Sequence, residues 1–201
     1  MKPAQAKLGE IADIQLGITF RGSDATRHNP AGTHQLIRIS DLAEDGELNV
    51  TTPSLVKLDP SVAQRYALQQ GDVILAARGV RLTAAVFDRP DPSIAGNQFC
   101  IIRAKPGVVL PAFLRWFLNL PTTQDHLRAE MTGSYVRALP VGQLAALEVP
   151  LPPPQVQSAL IELDSLRTRE RKLLAEIATK RSRLIDQSML KIFSHQHFPS
   201  P

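Results

Sequence analysis

The sequence predicts an α+β chain: a mixed α/β domain over residues 1–150, then one long, proline-capped α-helix within 151–201. The helix is expected to pack as an antiparallel, coiled-coil-like dimerisation arm and to end in a short flexible tail. Three observations carry this reading. From Gln155 to Phe193 there is neither proline nor glycine, and apolar residues return at three- and four-residue steps, through Leu160, Leu163, Leu166, Leu173, Leu174, Ile177 and Leu184. That stretch would run roughly 58 Å at 1.5 Å per residue, far beyond an ordinary globular helix. Immediately before it, Val149 to Pro154 is a proline run whose fixed φ angles and missing amide donors exclude a helix and favour polyproline II geometry. Earlier still, short β-rich runs alternate with glycine and proline turns and with short helical segments.

So long an apolar stripe needs a partner, because one face would otherwise stand in water. With Val156 at heptad position a, the a series continues through Leu163, Glu170, Ile177, Leu184 and Lys191, and the d series is Ala159, Leu166, Leu173, Lys180 and Gln187, a seam that is good in half of its positions and poor in others. Leu160 and Leu174 fall at e and widen the stripe. Arg167, Arg169, Arg171, Lys172, Arg181 and Arg183 are read as a solvated surface.

Two hundred and one residues suffice for one domain plus an appendage, and for a sizeable core. The net charge of +4 permits a nucleic-acid partner without requiring one, and before Pro150 the balance is near neutral, 15 basic residues against 14 acidic. Arginine outnumbers lysine 16 to 7, which suits bidentate recognition of phosphate or guanine. The single cysteine, Cys100, excludes an internal disulfide and is expected as a small buried hydrophobe in a reducing compartment. Lys7, Glu10 and Asp13 interrupt the N-terminal segment, so it is no signal peptide, and no window is apolar enough for a membrane span. A cytoplasmic protein is expected.

In chain order, Leu8, Ile11 and Ile14 predict a short helix within Lys7 to Gln15. Leu16 to Asp24 reads as a strand leaving for a loop that continues to Gly32. Gln35 to Ile39 alternates as a strand, Asp41 to Gly46 is its turn, and Leu55 to Leu58 is another strand. Pro60 opens a helix. Gly71 to Gly79 is a turn, a buried strand and a second glycine turn that brings Arg78 and Arg81 to a strand end, where a rigid scaffold displays binding groups. Thr83 to Phe87 and Gln98 to Arg103 are strands separated by an Asp88–Asn97 loop. Pro111 to Leu120 is a helix whose Phe113, Trp116 and Phe117 are core rather than a stacking platform. Asp125 to Met131 extends or follows it, Thr132 to Arg137 is a polar loop, and Val141 to Val149 leads into the proline run.

Gly71-Asp72-Val73-Ile74-Leu75, the Gly133-Ser134 turn with Leu139, Leu144 and Leu147 behind it, and Val149 to Gln157 before a long helix together resemble the DNA specificity subunit of type I restriction-modification systems. The resemblance spans Lys7 to Phe193. Its family pattern places a glutamate before the glutamine that follows the prolines; here Pro154 precedes Gln155, and Val156 separates Gln155 from Gln157. The full-length family member carries two recognition domains and two long helical regions, whereas one of each is found here. The resemblance therefore implies a half-length form in which two copies pair and read a symmetric, interrupted site on double-stranded DNA. It also implies a methyltransferase subunit using S-adenosylmethionine, and in a complete system a restriction subunit hydrolysing ATP, with no cofactor of the chain's own.

The candidate DNA contacts are Arg78 and Arg81 as guanine forks, Asn97 and Gln98 as adenine partners, Ser134, Tyr135 and Arg137 on the polar loop, and Arg21, Ser23 and Arg27 on the first loop. Enzyme readings fail: there is no phosphate loop, dinucleotide fingerprint or zinc spacing among the five histidines, and no methyltransferase Pro-Pro-aromatic motif. Pro90-Asp91 and Glu170-Arg171-Lys172 are chance fragments of a nuclease motif. The rival reading is a non-catalytic docking adaptor with a degenerate recognition domain, which the near-neutral charge of 1–150 keeps open.

Overall fold

The computed structural model describes residues 4–20, 28–79 and 82–197. The chain forms two compact units, Met1–Ile161 and Glu162–Pro201. Among the described residues of the first, the strands make three sheets. The four-stranded sheet runs β2 (Ala12–Leu16), β8 (Phe99–Ala104), β5 (Val73–Ala76), β6 (Ala84–Val86), with every neighbouring pair antiparallel. The three-stranded sheet runs β4 (Leu55–Val56), β3 (His34–Ile37), β7 (Ser93–Ala95), and β1 (Ala4–Lys7) pairs with β9 (Glu148–Leu151).

β5 explains itself from its side chains. All four of its residues are apolar and buried, because the sheet is covered on both faces. Val73 and Leu75, with Cys100 and Ile102 of β8, enter one core together with Leu8, Phe113, Leu114, Leu118, Leu127 and Leu144. Ile74 and Ala76, with Phe99 and Ile101, enter a second core with Ile37, Leu42 and Phe87. Alternation along a strand sends neighbouring residues to opposite faces, so a continuous apolar run serves two cores at once. A third, smaller cluster holds Ile18, Leu36, Val56 and Ile94.

The aspartate of the Gly71-Asp72 turn anchors this sheet. Asp72 is 1 % exposed and takes two hydrogen bonds from Arg103, Nε to Oδ1 and Nη2 to Oδ2, both 2.7 Å, and a third from the Gln69 amide at 2.8 Å. A buried carboxylate is tolerable because its lone pairs are met by charge-assisted donors. The hydrogen bond from Asp72 raises the Arg103 pKa further above its usual value, against a smaller opposing effect of burial.

Helices α1 (Leu8–Ile11), α2 (Pro60–Tyr66), α3 (Pro111–Leu118), α4 (Pro121–Ala129) and α5 (Val141–Ala146) complete the unit; α2, α3 and α4 each begin at the proline expected of a first helical position. Phe113 is buried, with Trp116 5.4 Å away ring to ring and Phe117 half-buried behind, as a core cluster.

Four expectations are corrected. The N-terminal helix lasts only four residues, because from Ala12 the chain pairs with β8 and a three-residue apolar period serves both shapes. The Asp88–Asn97 loop contains β7, parallel to β3, whose three buried residues, Ser93, Ile94 and Ala95, are too short a run to stand out among prolines and glycine. Val141–Ala146 is helical. The proline run is not free polyproline II: Glu148–Leu151 pairs antiparallel with β1, and Pro150 is tolerated opposite Gln5 because β9 has one strand neighbour among the described residues and needs no donor on its other side.

The long helix α6 runs Pro154–His197, 44 residues. Its first two turns belong to the first unit. Gln157 is 2 % exposed, its Oε1 accepts from the Leu110 amide at 3.0 Å and its Nε2 donates to the Pro152 carbonyl at 3.0 Å, while Leu160 and Ile161 pack on the first core. Beyond them Leu163, Leu166, Leu173, Leu174, Ile177 and Leu184 are each at least half exposed. No described helix is long and apolar enough to cross a membrane.

Candidate nucleic-acid interface

One end of the four-stranded sheet gathers four loops. Ala77 continues β5 and donates its amide to the Gln98 carbonyl at 2.8 Å, so the 96–98 turn lies beside Arg78 on one side. On the other side lies the 132–138 loop: Leu139 donates to the Ala77 carbonyl at 2.9 Å, Gly79 donates to the Arg137 carbonyl at 2.9 Å, and Arg78 bridges Ala138. The fourth segment follows β2, where Gly17 donates to the Phe99 carbonyl and Ile18 to that of Ala95, both at 2.9 Å. Asn97 Nδ2 reaches Thr19 Oγ1 at 3.2 Å. Glycine is required at 17, since a Cβ there would collide with the Gly96 carbonyl oxygen.

Backbone hydrogen bonds thus bring together the segment of Arg78, the 96–98 turn that carries Asn97 and Gln98, and the loop that carries Ser134 and Tyr135, although 57 positions separate Arg78 from Tyr135. The Arg78 and Gln98 side chains are exposed, Asn97 is half-buried, and Tyr135 is 99 % exposed. The loop that carries Tyr135 is closed by hydrogen bonds at its base. Thr132 and Ala138 exchange both backbone hydrogen bonds, at 2.9 and 2.8 Å, and Gly133 turns the chain at φ 105°, where a Cβ would lie 2.6 Å from the Val136 carbonyl oxygen. Arg137 has a different role from its neighbours: its Nη2 donates to the Arg128 and Met131 carbonyls at 2.8 and 3.3 Å, tying the loop to the end of α4. Arg21, Ser23, Arg27 and Arg81 lie outside the described residues.

Asn97 and Gln98 also open onto a cavity of about 1040 Å³ on the three-stranded-sheet side. Its apolar wall includes Ile18, Phe20 and Ile37, and its polar rim includes Arg38, Thr51, Thr52 and Ser54. Arg38 Nη2 donates to Ser54 Oγ at 2.8 Å, and the Arg38 amide donates to Asp41 Oδ2 at 2.8 Å, so the guanidinium is held at the strand end. His28 contributes an acceptor, its Nδ1 taking the Leu55 amide at 3.2 Å. These residues were missed in the sequence. The available signal was the alternation of Gln35 to Ile39, which sets Arg38 on the polar side of its strand; nothing local ties Thr51 and Thr52 to Asn97.

Chemically the set consists of hydrogen-bonding forks and amides with an exposed aromatic ring, the groups that read base edges and grip phosphate. Cys100 behind them is no nucleophile: burial pushes its thiol up to about 11, against a smaller opposing pull from the Arg78 charge.

Residues 4–177 match the family described as the type I restriction modification DNA specificity domain. None of the curated proteins matches the chain. Among solved structures it is similar to the HsdS subunit from Thermoanaerobacter tengcongensis, at 25 % identity and TM-score 0.64, over 98 % of this chain and 50 % of that one. It is similar in fold to the S subunit of the type I restriction-modification system from M. genitalium, at 15 % identity and TM-score 0.59, over 98 % and 50 % of the two chains. A chain from work on complex assembly and conformational transition of the type I R-M system matches at 19 % identity and TM-score 0.67, over 94 % and 43 %. The chain thus spans about half the length of these structural relatives. With the family matched over most of its residues and the fold shared, the chain belongs to the type I restriction-modification DNA specificity domain family.

Proposed function

We propose that this chain is the sequence-reading subunit of a type I restriction-modification complex, and that two copies pair through α6 to read a bipartite palindromic DNA target. Residues 1–150 read DNA, and 151–201 pair the copies and dock the methyltransferase and restriction subunits, which carry the chemistry. The carrying observation is the convergence of Arg78, Asn97, Gln98 and Tyr135 on one sheet end in a member of this family. The exposed apolar stripe of α6 supports pairing, because Leu163 to Leu184 otherwise lie in water. A twofold pair presents two identical reading faces, so its target repeats as an inverted half-site around an unread spacer.

The test is selection from a random duplex library by the chain together with its methyltransferase subunit. Enrichment of an inverted, interrupted repeat is expected, with affinity falling steeply as salt rises. Enrichment of one unrepeated half-site would overturn the paired reading. Absence of any enriched sequence would favour the docking adaptor.

A further inference from the structure

Two charges stand in the middle of the apolar stripe of α6: Glu170, at heptad position a, and Arg181, which was expected on the solvated surface but lies only about 20° round the helix from Glu170, while Lys180 at position d falls toward the stripe's edge. Glu170 has Leu166, Leu173 and Leu174 within one turn of it, with Arg167 as the fourth such neighbour; Arg181 has Ile177, Ala178, Leu184 and Ile185. Arg167 is already engaged, its Nη2 donating to Asp164 Oδ1 at 2.6 Å. Glu170 and Arg181 are both exposed, and their side chains have no hydrogen bond or ion pair among the described residues. Eleven residues apart, they lie on the same side of the helix to within about 20°, roughly 16 Å from each other along it. Covering the stripe would take both charges out of water, which is costly unless each finds an opposite charge on whatever covers it.

We propose that the cover is α6 of a second copy, antiparallel, in the register that sets Glu170 of each chain against Arg181 of the other. This rests on the pairing proposed above and gives it a register. The dyad then passes between Ala175 and Glu176, midway between Glu170 and Arg181. That point is also the midpoint of Pro154–His197, so the register that pairs the charges is the one that overlaps the two helices from end to end. It stacks Ile177 of each copy on Leu174 of the other, next to the dyad. A parallel pair in register would bring Glu170 onto Glu170 and Arg181 onto Arg181, so the charge pattern selects orientation as well as register. The overlapped pair is about 66 Å long, which places the first residues of the two helices at opposite ends.

Sedimentation of the full chain tests this with Glu170→Lys, Arg181→Glu, the double variant, and Asp186→Lys as a like charge change on the opposite face. Each stripe variant alone is expected to weaken self-association about tenfold or more. The double variant is expected to recover it, and an equal mixture of the two single variants to form a mixed dimer as tight as the wild type. Recovery in the mixture also shows that the single variants are folded. Asp186→Lys should leave association unchanged. A wild-type dimer indifferent to the single reversals, or a double variant no tighter than they are, would overturn the register and leave pairing standing. A parallel pair gains nothing from the double reversal, because each position still meets its like. A monomeric wild type would overturn both the register and the pairing.

Discussion

Arg78 and Arg137 stand 59 positions apart in the chain and are brought together by the hydrogen bond from the Gly79 amide to the Arg137 carbonyl, yet their guanidinium groups are committed differently. Arg137 spends its donors on the Arg128 and Met131 carbonyls, whereas Arg78 is exposed beside the 96–98 turn with no hydrogen bond or ion pair among the described residues. Arg78→Ala is therefore expected to reduce selective DNA affinity by about 1–3 kcal/mol while leaving the melting temperature nearly unchanged. Arg137→Ala should do the reverse, costing about 1 kcal/mol of stability as two helix-end carbonyls lose their donor. Paired titrations and melts of the two variants check this, and loss of selectivity confined to Arg137→Ala would reverse the assignment. Asp72 makes a further residue-scale contrast. It reads in sequence as part of a common Gly-Asp turn, but three donors converge on it in a buried site. Asp72→Ala strands a partly exposed Arg103 and an amide, and chemical denaturation should register a loss of about 2–4 kcal/mol.

Among the elements, α6 combines two environments in one uninterrupted helix. Gln157, Leu160 and Ile161 are bound into the first unit, while the apolar residues from Leu163 onward are exposed. Leu160, expected on the pairing face, is packed on its own core. A chain ended after Ile161 should therefore melt as a folded unit, whereas one ended after Pro153 should lose on the order of 3 kcal/mol through the missing Gln157 bonds and Leu160–Ile161 burial. Equal stability of the two truncations would show that these contacts contribute nothing. The glutamine at 157 thus has a local physical reason: it satisfies the Leu110 amide at the start of α3 and the Pro152 carbonyl that the proline run leaves without a partner.

At the scale of the whole molecule, the proposed reading makes affinity depend on how many near-neutral DNA-reading units act together. Each phosphate neutralised contributes a slope of about −0.9 to the dependence of log affinity on log salt. The paired 201-residue chain on an inverted repeat should show about twice the slope of the same chain ended after Ile161, which presents one face. Equal slopes would mean that a single unit binds at a time.

The long helix, the core strand at Val73–Ala76 and the helix starts at Pro60 and Pro111 were determined by the sequence alone, since periodicity and proline geometry act over a few residues. So was the family, through the order of its turn, loop and proline run. The site was legible only in fragments: Arg78, Asn97, Gln98 and Tyr135 could each be picked out by chemistry, but the meeting of their segments depends on the long-range hydrogen bonds Ala77 to Gln98, Leu139 to Ala77 and Gly79 to Arg137. The strand at Ser93–Ala95, the pairing of the proline run with Ala4–Lys7, and the place of Arg38 and Thr51 on the cavity rim were likewise decided by tertiary structure. The physical reason is common to them all. A strand's hydrogen-bond partner and a loop's neighbour are chosen by residues distant in the chain, and no local pattern encodes that choice.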